Sequence, residues 1–166
     1  MQKAFLVREQ LLIYSCRQMN DEMTKTILLV DDDTDDQLLF MLALEETGKN
    51  IKCHVAKNGE EALSLFTDEF LPDLIFLDLN MPVMNGFDFL TEMKKDDRLK
   101  AIPVVIFSTT SDLGTVKKTY DMGACAFFKK PNDFPTLRAK LNSLFEKPHP
   151  VVSAPGSAFS FAEFFL

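Results

Sequence analysis

Cysteine is scarce in this chain: 166 residues hold three, Cys16, Cys53 and Cys125. The number is odd and no C-x-x-C occurs, which disfavours both a disulfide framework and a zinc site and fits a reducing cytoplasm. Cys53 and Cys125 sit in apolar segments and read as small buried hydrophobes. Long apolar runs are missing too. No stretch approaches the roughly 20 residues that a membrane-spanning helix needs, and Arg8 and Glu9 interrupt the run from Ala4 to Tyr14 that might otherwise pass for a signal-peptide core. Positive charge is in deficit, with 18 Lys and Arg against 25 Asp and Glu and a net charge of −7. A nucleic-acid surface is therefore not expected of the protein as a whole. The stretch from Val116 to Lys147 nonetheless carries Lys117, Lys118, Lys129, Lys130, Arg138, Lys140 and Lys147 against few acids. No internal repeat is present.

What the chain does have is acid at the ends of apolar runs. Ile27-Leu28-Leu29-Val30 leads into Asp31-Asp32-Asp33, and Leu74-Ile75-Phe76-Leu77 leads into Asp78. If the two runs are neighbouring strands, several carboxylates meet at one sheet edge. Two unit charges about 4 Å apart repel by roughly 4 kcal/mol at an effective dielectric of about 20. A proton or a cation must relieve that. Carboxylate oxygens suit Mg²⁺, which keeps several waters and accepts phosphate oxygens. Asp35 and Asp36 read instead as solvated acids of a turn.

From Thr26 onward, short apolar runs alternate with helical patterns. Strands are expected at Ile27–Val30, Ile51–Ala56, Leu74–Leu77, Ile102–Phe107 and Ala124–Phe128. The first helix is expected to open on a capping box, Thr34-x-x-Gln37, and to bury Leu38, Met41, Leu42 and Leu44. Asn58, Asp112 and Asp133 are candidate caps of later helices, and Gly86 opens another. Five strand–helix repeats predict an α/β fold in which a doubly wound parallel sheet carries helices on both faces. Ligands in such sheets bind beyond the carboxyl ends of the strands, where the strand order reverses. Three stretches follow: an extension over 1–23, a domain over 24–147 and a Pro- and Phe-rich tail over 148–166. Residues before Met23 differ in character, and an over-extended start at Met19 or Met23 is preferred to an amphipathic helix using Leu6, Leu12 and Ile13. The tail carries Phe159, Phe161, Phe164, Phe165 and Leu166, which leave three alternatives open: folding back, meeting another chain, or simple disorder.

Taken together, Ile27 to Asp32, Asp78-Leu79-Asn80-Met81-Pro82 with Gly86, Ser108-Thr109 and Lys130-Pro131 resemble the receiver domain of two-component response regulators over roughly Lys25 to Lys147. Each motif is weak alone; their order at the ends of alternate segments is specific. The resemblance implies a flavodoxin-like five-stranded sheet of order 2-1-3-4-5. It implies that Asp78 is the phosphoacceptor, that Asp31 and Asp32 with Asp78 and the backbone carbonyl of Asn80 hold Mg²⁺ or Mn²⁺, and that Lys130 pairs with a phosphoryl oxygen. Ser108 matches the switch hydroxyl and Phe127 the aromatic switch, and Lys130–Pro131 matches a cis peptide bond. Asn80 and Thr110 match positions that tune dephosphorylation. Ser108 replaces the commoner Thr, Phe127 the commoner Tyr, and Asn85 the commoner Asp.

The function implied is that of a stand-alone response regulator, cytoplasmic, that takes a phosphoryl group from a histidine kinase or phosphotransfer protein. It is no enzyme beyond its own phosphorylation and dephosphorylation. A downstream protein would read helix four, strand five and helix five; neither nucleic acid nor membrane is expected, and a homodimer is left open. The chemistry agrees, because an ionised carboxylate needs no general base and phosphoryl transfer needs mainly positioning and charge stabilisation. His54 and His149 therefore need no catalytic role. Three rival readings fit the residues less well. An aspartyl-phosphate hydrolase of the haloacid dehalogenase type needs D-x-D-x-[TV], and Asp35 occupies the fifth position. A flavin carrier needs a phosphate loop, and this acidic loop repels phosphate. A pseudo-receiver scaffold would keep every site residue and fail to phosphorylate.

Overall fold

The structure, a computed structural model, describes residues 25–110 and 112–146. The extension expected over 1–23 and the tail expected over 148–166 lie outside the described residues. Five strands form one sheet: β1 Lys25–Val30, β2 Ile51–Ala56, β3 Leu74–Leu77, β4 Val104–Ser108 and β5 Ala126–Lys129. Their order is β2-β1-β3-β4-β5 and every pair is parallel, as expected. Helices α1 Thr34–Glu45, α2 Gly59–Leu65, α3 Gly86–Met93 and α4 Leu113–Asp121 fill the crossovers, α5 Phe134–Glu146 follows the last strand, and a short 3₁₀ turn lies at Leu99–Ala101. No helix among the described residues is long and apolar enough to cross a membrane.

The central strands β1, β3 and β4 are buried on both faces, which is why they read as unbroken apolar runs. Alternation then sorts their side chains. Leu28, Val30, Ile75, Leu77 and Ile106 face a core that also takes Ala62 of α2, Phe89 of α3 and Val116 of α4. Ile27, Leu29, Phe76, Val105 and Phe107 face the opposite core with Phe40 of α1 and Leu141 of α5. Phe76 meets Phe40 and Phe107 edge-on, at centroid distances of 4.8 and 6.1 Å. Cys53 and Cys125 are half-buried and pack against this second core.

Three expectations need correction. The cap of α1 is Asp33, not Thr34: its carboxylate accepts from the amides of Asp35 and Asp36, and Gln37 turns inward. Asp33 wins because its ionised carboxylate accepts from two free amides of the first turn at once and is favoured by the helix dipole. The buried face of α1 is Gln37, Phe40, Ala43 and Leu44, whereas Leu38, Met41 and Leu42 are exposed. Finally, no peptide bond among the described residues is cis, so Lys130–Pro131 is trans, the isomer favoured even before proline. The expected caps Asn58 and Asp112, and Asp133 ahead of α5, each accept a helix amide.

Candidate active site at the β1/β3 edge

The sheet register brings the acids together. Val30 pairs with Leu77, so the next residues, Asp31 and Asp78, leave adjacent strands at one level. The Asp78 amide donates to Val30 O at 2.9 Å, and the Asp31 amide to Ala56 O at 3.0 Å. This is where the chain order reverses across the sheet, the place at which open α/β sheets bind ligands. Carboxylate oxygens of Asp31, Asp32 and Asp78 all lie within 4.8 Å of one another. Asp31 and Asp78 are buried and Asp32 is exposed. Three hard oxygen donors, open to water on one side, fit a divalent cation that keeps part of its hydration.

Lys130 reaches the same place from the loop after β5. Its ammonium lies 2.7 Å from Asp31 Oδ2, 2.8 Å from Asp36 Oδ2 and 3.5 Å from Asp78 Oδ2. Its amide donates to Ser108 O at 3.0 Å, which ties the loop to the end of β4. Burial works against the Lys130 charge. The hydrogen bonds to Asp31 and Asp36 and the charges of Asp31 and Asp78 outweigh it and hold the pKa above the ordinary lysine value. Burial pushes the Asp31 carboxyl up to about 6, although Lys130 pulls it the other way. Asp31 is braced on both sides: Oδ1 accepts from the Asp33 amide at 3.1 Å, and its carbonyl accepts from Gln37 Nε2 at 2.6 Å.

Asp78 is oriented by its own neighbour, since Oδ1 accepts from the Leu79 amide at 2.7 Å. The loop that follows turns at Val83, whose φ is 67°. That is a rare conformation for a β-branched residue. Asn80 is exposed at the mouth, and its Nδ2 donates to Thr110 Oγ1 at 3.4 Å. Ser108 is fully buried, and its Oγ has no hydrogen-bond partner among the described residues. Phe127 is also fully buried, in the core that holds Val116 of α4.

Asp31, Asp32, Asp78 and Lys130 thus meet at one edge, Ser108 is tied to it through the Lys130 amide, and Phe127 lies in the core. Two residues escaped the sequence reading. Asp36 pairs with Lys130 rather than standing in water, and Gln37 reaches the Asp31 carbonyl. Asn85 shows what its own substitution does: Oδ1 caps α3 by accepting from the Phe87 and Asp88 amides, while Nδ2 donates to Asp88 Oδ2 at 2.7 Å.

Residues 27–142 match the family described as the response regulator receiver domain. The chain belongs to that family. The receiver is similar to the sporulation initiation phosphotransferase F of Bacillus subtilis, with 33% identity over 116 residues that cover 70% of this chain and 90% of that one. It spans only about half of other curated relatives, 55% and 52% of two of them. Among solved structures it resembles the phosphorylated cyanobacterial phytochrome response regulator RcpA, with TM-score 0.69 and 28% identity over 81% of this chain and 100% of that one. It also resembles the Mn²⁺-bound form of response regulator Rcp1, with TM-score 0.66 and 27% identity over 80% and 99% of the two chains. These relatives are signalling proteins of two-component systems, and they place the receiver in phosphorylation-based signalling.

Proposed function

We propose that this receiver takes a phosphoryl group onto Asp78 from a histidine kinase or phosphotransfer protein, with Mg²⁺, and signals through a shape change read by a partner protein. One observation carries the reading. An oriented carboxylate, two further carboxylates and a buried ammonium meet on separate loops at the β1/β3 edge. In the transfer, an Asp78 oxygen forms a bond to phosphorus as the N–P bond of a phosphohistidine breaks, and the imidazole nitrogen keeps the electron pair. Asp31, Asp32, Asp78 and the Asn80 carbonyl would hold Mg²⁺ or Mn²⁺, whose charge offsets the repulsion between carboxylate and phosphoryl group. Lys130 supplies a second positive charge within reach of Asp78. The Leu79 amide keeps the carboxylate aimed.

The signal starts at Ser108. An unpaired buried hydroxyl is costly, and a phosphoryl oxygen on Asp78 offers the acceptor that Ser108 lacks. Phe127 already lies in the core, so burial of that ring does not by itself mark the phosphorylated form. The readout face in this proposal is α4, β5 and α5. There Lys117 pairs with Asp121 at 2.6 Å and Lys118 sits 3.9 Å over the Phe87 ring, tying α4 to α3. We read residues 24–147 as a cytoplasmic receiver that is chemically active only on itself. Intact-mass measurement after incubation with acetyl phosphate tests the reading. It predicts one phosphoryl adduct that needs Mg²⁺ and vanishes in Asp78→Asn; an adduct that persists in Asp78→Asn contradicts it.

A further inference from the structure

Lys130 has more partners than its proposed task requires. An ammonium has three N–H groups, and three carboxylates surround this one, at 2.7 Å (Asp31), 2.8 Å (Asp36) and 3.5 Å (Asp78). The residue meant to meet a phosphoryl oxygen on Asp78 is therefore nearer to two other acids than to Asp78. Asp31 and Asp78 belong to the trio of carboxylates that suits a cation, and Asp36 does not. Its hold on Lys130 is independent of that trio. We propose that Asp36 is a positioning residue that keeps Lys130 drawn toward α1 in the unphosphorylated receiver and so opposes phosphoryl capture.

The local structure fits a latch that can open. Asp36 stands in the first turn of α1, and its amide is fixed by the Asp33 carboxylate at 3.1 Å. Its own carboxylate is left to face Lys130 across 94 residues of sequence. The helix N-terminus favours that negative charge. The Asp36 side chain is 37% exposed while that of Lys130 is 8% exposed. Water can therefore take over the carboxylate when Lys130 leaves, whereas Lys130 must exchange one buried partner for another. A phosphoryl oxygen, with more negative charge than a carboxylate oxygen, is such a partner. Asp36 also adds a negative charge at the mouth that an anionic donor must approach.

This proposal rests on Asp78 as acceptor, and the test keeps the two apart. The full chain would be compared as wild type, Asp36→Asn and Asp36→Glu, for phosphorylation by acetyl phosphate with Mg²⁺. Exchange of the Lys130 ammonium protons with water would be followed by NMR without metal. Asp36→Asn is expected to phosphorylate on Asp78 about 5-fold faster, the size of effect a partly exposed ion pair gives. It should also show faster ammonium exchange, while Asp36→Glu stays close to wild type in both. Unchanged ammonium exchange in Asp36→Asn would mean that the pair does not exist in solution and overturns the proposal. Faster exchange with an unchanged or slower phosphorylation rate overturns it as well, and leaves the acceptor in place. Absence of Asp78 phosphorylation in the wild type removes the acceptor and this proposal together.

Discussion

Gly86, the first residue of α3, lies directly against the backbone of Asp78. A Cβ at that position would collide with the Asp78 carbonyl oxygen and stand 2.9 Å from Leu79 Cα. The Gly86 amide donates to Leu79 O at 3.1 Å, so the start of α3 clamps the loop that presents Asp78. Backbone cannot swing aside as a side chain can. Gly86→Ala is expected to destabilise the protein by about 1–3 kcal/mol, as overpacking does, and to slow phosphorylation by shifting Asp78. Denaturant unfolding and intact mass check the two effects.

Asp31 gives a pH dependence with a definite sign. Its carboxyl is raised from 3.8 to about 6, first by burial, so the folded state holds the proton more tightly than the unfolded state. No penalty exists below about pH 3.8; it grows between there and about pH 6, and is constant above. In the presence of a chelator, Asp31→Asn should therefore gain stability over wild type by up to roughly 3 kcal/mol at neutral pH, at about 1.4 kcal/mol per pH unit. The gain should fade as the pH drops toward 4. Unfolding curves for both proteins at several pH values check it. A gain that grows toward acid would contradict the burial of an ionised Asp31.

Ser108 should show opposite effects in the two states. Its hydroxyl is buried without a partner among the described residues, so Ser108→Ala should stabilise the unphosphorylated receiver by about 1 kcal/mol, toward the low end of what an unpaired buried hydroxyl costs. With beryllofluoride as the phosphoryl mimic, the variant should gain less stability on binding than wild type. Thermal unfolding with and without beryllofluoride measures both.

Much of the fold was legible because the central strands are buried on both faces and the caps use side chains with one strong local preference. Asn58 and Asp112 each cap the helix expected of them. The face of α1 was not legible. From Leu38 to Leu44 every residue is apolar, so the segment carries no helical phase, and only the packing of Phe40 against Phe76 shows which side is inward. The site trio was legible from acids ending apolar runs. Asp36 was not, because an acid in a first helical turn usually faces water, and its partner lies far along the chain. The strand order and the part proposed for Lys130 came from family resemblance; spacing alone does not order parallel strands.

The most direct measurement is chemical trapping of the phosphorylated residue. Treating the protein with acetyl phosphate and Mg²⁺, then with borohydride, converts an aspartyl phosphate to homoserine, which peptide mass mapping can locate. The account predicts homoserine at position 78 and nowhere else. Homoserine at 31, 32 or 36, or an unmodified Asp78 in a protein that has gained phosphate, would contradict it.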